Sequence, residues 1–139
     1  MPQLNAYLKF SGNCRDAFEF YAACLGGELV LQTVKESPMA QQLPPESQDK
    51  ILHASLTTGN MSLFGSDMIG PDGLKDGTNI FLCYIGTLDE IKTAFNNLAV
   101  DGNITHPLKE EFFGTFGDLI DKFGMNWMFQ ADKPLKPTS

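Results

Sequence analysis

Two ten-residue stretches far apart in this chain overlay without a gap. LNAYLKFSGN (residues 4–13) meets TNIFLCYIGT (residues 78–87), so Asn5 falls on Asn79, Tyr7 on Phe81, Leu8 on Leu82, Phe10 on Tyr84 and Gly12 on Gly86. A second overlay sets TGNMSLFGSD (58–67) on FGMNWMFQAD (123–132), pairing Gly59 with Gly124, Leu63 with Met128, Phe64 with Phe129 and Asp67 with Asp132. Either match alone is cheap. Together they mark the first and last strand of a unit written twice, and an internal repeat restricts the chain to two copies of one supersecondary motif.

The residues between these strands say what the motif is. Asn5 to Phe10 alternates as a strand, Gly12 breaks it, and Asn13 is a good N-cap. Ala17, Phe18, Tyr21, Cys24 and Leu25 then fall on one face of a helix that Gly26-Gly27 stops. ELVLQTVKE reads as a strand and SPMAQQLPPESQDK as a polar, proline-rich loop; ILHASLTTG and MSLFGSD read as two strands joined at Gly59-Asn60. The programme restarts with a strand over Asn79–Ile85, the cap Thr87, and a helix whose stripe is Leu88, Ile91, Phe95 and Leu98. NITHPLKEEF, FGDLIDKFG and MNWMFQAD supply three more strands, with Trp127 and Met128 on opposite faces of the last, and KPLKPTS is a frayed tail. The expected fold is α+β: tandem βαβββ modules over residues 3–67 and 78–132, joined by connector 68–77 within a single domain. In each module the helix covers one face of a four-stranded sheet, and the other module helps enclose the second face.

Composition narrows the partners. With 42% hydrophobic residues and 11 Phe the chain has material for a real core. A net charge of −7 argues against a nucleic-acid partner and against anionic lipid. The N-terminus lacks the basic and apolar regions of a signal peptide, and no apolar run approaches the roughly 20 residues of a membrane span. Cys14, Cys24 and Cys83 are odd in number and have no CxxC spacing, so they read as reduced thiols of a cytoplasmic protein rather than as disulfides or a zinc site.

The tandem motif, with YLKFSGNCRDAFEFYAACLGGEL (7–29), ILHASLTTGN and LFGSD (51–67), and FGDLIDKFGMNWMF (116–129), resembles the vicinal oxygen chelate superfamily. That group holds glyoxalase I, bleomycin-resistance proteins, fosfomycin-resistance enzymes and extradiol dioxygenases. Within it the chain looks like the PhnB-like branch. Asp121, Phe123, Gly124, Trp127 and Met128 form the most specific part of the likeness. The resemblance implies curved sheets around a cavity, helices outside, and a homodimer. Some relatives carry a ubiquinone methyltransferase name, but the chain has no glycine-rich loop following a strand, as a dinucleotide-type cofactor fold would need.

Metal-dependent relatives take His, Glu or Gln ligands from the first and last strand of each module, and the metal polarises vicinal oxygens of the substrate. Carried over, those places fall on Asn5, Leu63, Asn79 and Met128. Two amides, a hydrocarbon and a thioether make a poor donor set, so no metal or other cofactor is expected and a divalent ion is disfavoured. The asparagines then either offer donors and acceptors to a ligand, or bond each other or neighbouring backbone at the join between the halves. Alternation adds Tyr7, Phe81 and Asn126 to the expected ligand-binding set of Asn5, Leu63, Asn79 and Met128, a lining suited to an apolar or aromatic small molecule. Core filling accounts for Phe81 equally well.

His53 and Glu111 are weak catalytic candidates. A strand histidine is more often structural, and the direction of His53 is open because Leu52, Ala54 and Leu56 look like the core set. Glu110 and Glu111 point to opposite faces, and the phenylalanines of EEFFGTFG (Phe112, Phe113 and Phe116) cap a cavity or fill a dimer contact. The leading expectation is a small-molecule-binding protein without the usual metal centre. Its rival is a lyase, isomerase or transferase acting on a small oxygenated substrate through a divergent metal site or a metal-free pair such as His53 with Glu111.

Overall fold

The computed structural model describes residues 3–68, 74, 75, 77–112 and 114–132. The chain divides into two compact units, Met1–Lys75 and Asp76–Ser139, with the boundary inside the expected connector. The first unit runs β1 (Ala6–Phe10), α1 (Cys14–Leu25), β2 (Glu28–Thr33), β3 (Ile51–Thr58) and β4 (Met61–Asp67). The second repeats it as β5 (Leu82–Ile85), α2 (Leu88–Leu98), β6 (Asn103–Glu111), β7 (Gly114–Ile120) and β8 (Asn126–Asp132). Each unit holds one four-stranded sheet, in the orders β1-β4-β3-β2 and β5-β8-β7-β6. Two antiparallel hairpins bring the last strand back beside the first, where it pairs in parallel. The fold is therefore the α+β tandem that the repeat predicts.

In the first unit, Phe18 on α1 packs edge-on against Phe10 and Tyr21, with ring centroids 6.1 and 5.8 Å apart. Strand β4 offers Gly65 beneath that ring. A Cβ there would lie 2.5 Å from the Phe18 ring, so any side chain would push the helix off the sheet. Leu8, Phe10, Ala54 and Leu56 complete the same buried layer. In the second unit, Phe129 is the centre: Phe95 of α2 meets it edge-on at 5.2 Å, and Trp127 stacks beside it at 6.4 Å.

The two helices begin differently. Thr87 accepts from the Glu90 N–H at 3.2 Å while Glu90 accepts from the Thr87 N–H at 2.9 Å, a reciprocal capping box. Asn13, its counterpart in the repeat, makes no side-chain cap. The start of α1 is instead held by a strand residue. Asp67 Oδ1 accepts from Gly12 N–H (2.9 Å) and Cys14 N–H (3.0 Å), and Oδ2 accepts from Ile51 N–H (2.8 Å). A carboxylate suits the positive end of the helix dipole better than an asparagine amide.

Three expectations are corrected. Strand β5 starts at Leu82, leaving Asn79 before it. Leu88 is 43% exposed, and Ala94 takes its place in the buried stripe. The second overlay is out of register: Phe129 faces α2, whereas Phe64 lies on the face turned away from α1. Leu8 pairs with Gly65 and Leu82 with Trp127, so the overlay is displaced by three residues; an odd slip reverses every side chain on a strand, and gapless matching carries no information about faces.

The turn between β7 and β8 explains the Asp121 motif. Asp121 Oδ1 accepts from Phe123 N–H (2.8 Å) and Met125 N–H (3.1 Å), and Oδ2 accepts from Trp127 Nε1–H (2.9 Å). Three substitutions follow. Trp127→Ala should cost about 3–5 kcal/mol through the lost ring packing. Asp67→Ala should cost about 3 kcal/mol or more by orphaning three backbone donors, and Asp67→Asn less, because one oxygen remains. Urea unfolding measures all three, and a near-neutral Asp67→Ala would contradict the capping role.

Candidate functional site

In the first sheet, Leu8, Gly65 and Ala54 stand on the α1 side, so their strand neighbours stand on the other. Register places Tyr7 beside Phe64 and Lys9 beside Ser66, Ser55 opposite Phe64, and Gln32 opposite His53. The rings confirm the shared face. His53 stacks on Phe64 at 5.8 Å with planes 24° apart, and Tyr7 lies 6.1 Å from His53. Lys9 Nζ donates to Ser66 Oγ at 2.8 Å and lies 5.1 Å from the Tyr7 ring centre. Tyr7 is 48% exposed, and His53 and Phe64 are half-buried. This is an aromatic platform edged by one cation and two hydroxyls. It settles the direction of His53: away from the helix.

Asn5 shares the parity of Tyr7 but precedes β1, is exposed, and accepts from Gln3 Nε2–H at 3.1 Å. Leu63 does not belong with them. It pairs with Ala6 and stands on the α1 side, because the strand alternates from Gly65. Phe64, one residue on, takes the place expected for it. Neither Phe64 nor Lys9 was picked from the sequence, although both follow from alternation once Gly65 is assigned to the helix.

In the second unit, Met128 pairs with Cys83 and Asp118 on the face away from α2, opposite in direction to buried Trp127. Asn126 shares that parity, but its amide is occupied: Nδ2 donates to the carbonyls of Gly77 (2.8 Å) and Ile80 (3.2 Å) and anchors the segment leading into β5. Phe81 is 38% exposed and Asn79 is exposed. Glu111 ends β6 half-buried, 3.9 Å from Lys109. His53 and Glu111 belong to different units. Phe112 is 83% exposed, and Phe113 lies outside the described residues. A cluster not anticipated joins Thr105, His106 and Asp118: both side chains reach Asp118 Oδ1, His106 through Nδ1 at 2.7 Å.

The metal of the wider superfamily does not fit these residues. Leu63 faces the helix and offers no donor, Met128 offers only a soft sulfur, and Asn5 and Asn79 offer neutral amides. Among the described residues no group of three or more His, Cys, Asp or Glu could hold an ion. The methyl donor implied by the methyltransferase name fares no better at the β1–α1 turn, where a glycine-rich loop would bind it. The Gly12 and Cys14 N–H groups there already serve Asp67.

The profile of the 3-demethylubiquinone-9 3-methyltransferase family matches residues 2–130. The chain belongs to this family. Protein YjdN of Escherichia coli K12 is 34% identical over 143 residues, spanning 96% of this chain and 97% of YjdN. Among solved structures, PA1353 from Pseudomonas aeruginosa is 32% identical with a TM-score of 0.86, covering 96% of this chain and 100% of PA1353. A PhnB protein from Bacillus cereus, described as a 3-demethylubiquinone-9 3-methyltransferase, is 25% identical with a TM-score of 0.76, covering 94% and 99%. The fold extends to the fosfomycin resistance protein FosX of Listeria monocytogenes, 9% identical with a TM-score of 0.66 over 95% of this chain and 94% of FosX. A glyoxalase/bleomycin resistance protein/dioxygenase family enzyme from Burkholderia phytofirmans, 11% identical with a TM-score of 0.62 over 92% of this chain and 98% of that one, has the same fold.

Burial, reinforced by the Asp67 carboxylate, pushes the Cys14 thiol up to about 12. A thiol reagent at pH 8 should therefore label exposed Cys83 in the native protein and reach Cys14 only after unfolding. A second check concerns metal. A tightly held ion stabilises a fold by about 2.7 kcal/mol at a hundred times its Kd, so a chelator should leave the melting temperature of the purified protein unchanged. A drop of several degrees would restore a metal centre.

Proposed function

We propose that this chain binds a small, planar, anionic organic molecule on the face of the first sheet turned away from α1, without transforming it there. The observation that carries the reading is the Tyr7–His53–Phe64 ring cluster with Lys9 at its edge. A stacked pair of part-open rings presents a flat, polarisable surface, and aromatic stacking is worth about 0.5–1.5 kcal/mol beyond the area buried. An ammonium beside that surface favours a carboxylate, sulfonate or phenolate on the ligand. The hydroxyl of Ser55 and the amide of Gln32 supply neutral contacts of either polarity, while Ser66 holds the Lys9 ammonium. The family's methyltransferase name is not adopted, because the β1–α1 turn has its donors already engaged.

Naphthalene-2-sulfonate and naphthalene, titrated by calorimetry or by shifts of the His53 ring resonances, test the reading. The sulfonate should bind more tightly than the hydrocarbon. Phe64→Ala should weaken both by up to about tenfold, matching the upper end of a lost stacking contact. Lys9→Met keeps the aliphatic stem and removes the charge, so it should abolish the preference for the sulfonate. Binding that neither substitution alters would place the ligand elsewhere.

A further inference from the structure

Neighbouring residues on a strand point to opposite faces, yet Thr105 and His106 both hydrogen-bond the same oxygen of Asp118. The register explains how. Ile104 pairs with Leu119 and His106 with Asp118, so Thr105 is an extra residue bulged out of the ladder. A second shift follows between His106 and Lys109, where Pro107 has no N–H for the ladder. Strand β7 makes room for this second shift with Gly117. A Cβ there would meet Leu108 Cδ2 at 2.9 Å and the His106 carbonyl and Leu108 nitrogen at 3.0 Å. Bulges of this kind redirect side chains and recur beside active sites.

We propose that this bulge builds a proton-accepting site in the second unit: His106 is the base and Asp118 its positioning residue. The Asp118 side chain is only 12% exposed and that of His106 is 73% exposed, so the carboxylate is anchored in the sheet while the imidazole reaches outward. Asp118 Oδ1 takes a hydrogen from Nδ1. That selects the Nδ1–H tautomer and leaves the Nε2 lone pair free to accept a proton. Thr105 donates its hydroxyl to the same oxygen and fixes the carboxylate. Met128, the register partner of Asp118, gives the site an apolar flank. The substrate class is a small carbon acid, a molecule whose C–H is activated by an adjacent carbonyl or other electron-withdrawing group. The proposal is independent of the aromatic platform in the first unit.

The probe is 5-nitrobenzisoxazole. Nε2 takes the C3 proton, the C–H electron pair forms the nitrile, the ring N–O bond breaks, and 2-cyano-4-nitrophenolate leaves. The imidazolium then returns its proton to water. The chain has 2 histidines, which makes assignment simple. Wild-type protein should exceed the same concentration of 4-methylimidazole by about 100-fold, the usual gain from a positioned base. His106→Gln should remove that gain, His53→Gln should keep it, and Asp118→Ala should lower it at least tenfold. Nitrogen NMR of the imidazole should report the Nδ1–H form in wild type and its loss in Asp118→Ala. Because the His106 ring is exposed, His106→Gln should fold normally. A wild type no faster than 4-methylimidazole, or a His106→Gln protein that keeps the rate, overturns the proposal. An unchanged tautomer and rate in Asp118→Ala overturns the role given to Asp118.

Discussion

Three backbone donors from three segments converge on one carboxylate. Asp67 ends β4, but it accepts from the β1–α1 turn, from the first residue of α1 and from the first residue of β3. Without it the helix would begin with unpaired N–H groups beside a buried thiol. Once it is in place, α1 starts where Phe18 can settle on Gly65, and that contact decides which face of the first sheet is covered. The aromatic platform is what remains on the other face. Asp121 does comparable work in the second unit, holding the β7–β8 turn and the Trp127 indole and so setting the inward direction of the last strand.

The two units share a topology but differ in what each leaves on the face away from its helix. The first carries rings and a lysine, a surface suited to stacking and to holding an anion. The second carries Cys83, Met128 and the Asp118 cluster. The caps have diverged as well: a local Thr–Glu box serves α2, and a carboxylate distant in sequence serves α1. Duplication preserves strand order because the sheet depends on it. It does not preserve side chains that serve only one copy.

Much of the fold was legible in the sequence. Period-two and helical stripes placed all ten major elements, and the hairpin at Gly59-Asn60 joins Thr58 to Met61 as its turn residues demand. The opposite directions of Trp127 and Met128 were also legible. Part of the candidate site was legible: Tyr7 and Met128 lie on the faces away from their helices. Leu63 stands on the α1 side, which an overlay of similar letters could not show because it cannot detect an odd slip, and only the contact of Gly65 with Phe18 fixes the face. Asn126 was correctly placed by alternation, but its amide ties down the chain before β5.

By itself the sequence determined the repeat, the strand–helix order and the apolar layer under each helix, because these rest on local periodicity and on turn residues. Tertiary structure alone decided where the carboxylates act. Asp67 and Asp118 read as ordinary strand residues, and nothing local announces donors 55 or 12 positions away. The β6 bulge was hidden for the same reason. Its second shift needs Gly117 on the neighbouring strand, which leaves room for the backbone around Leu108, and a bulge is a relation between two strands, not a property of either one.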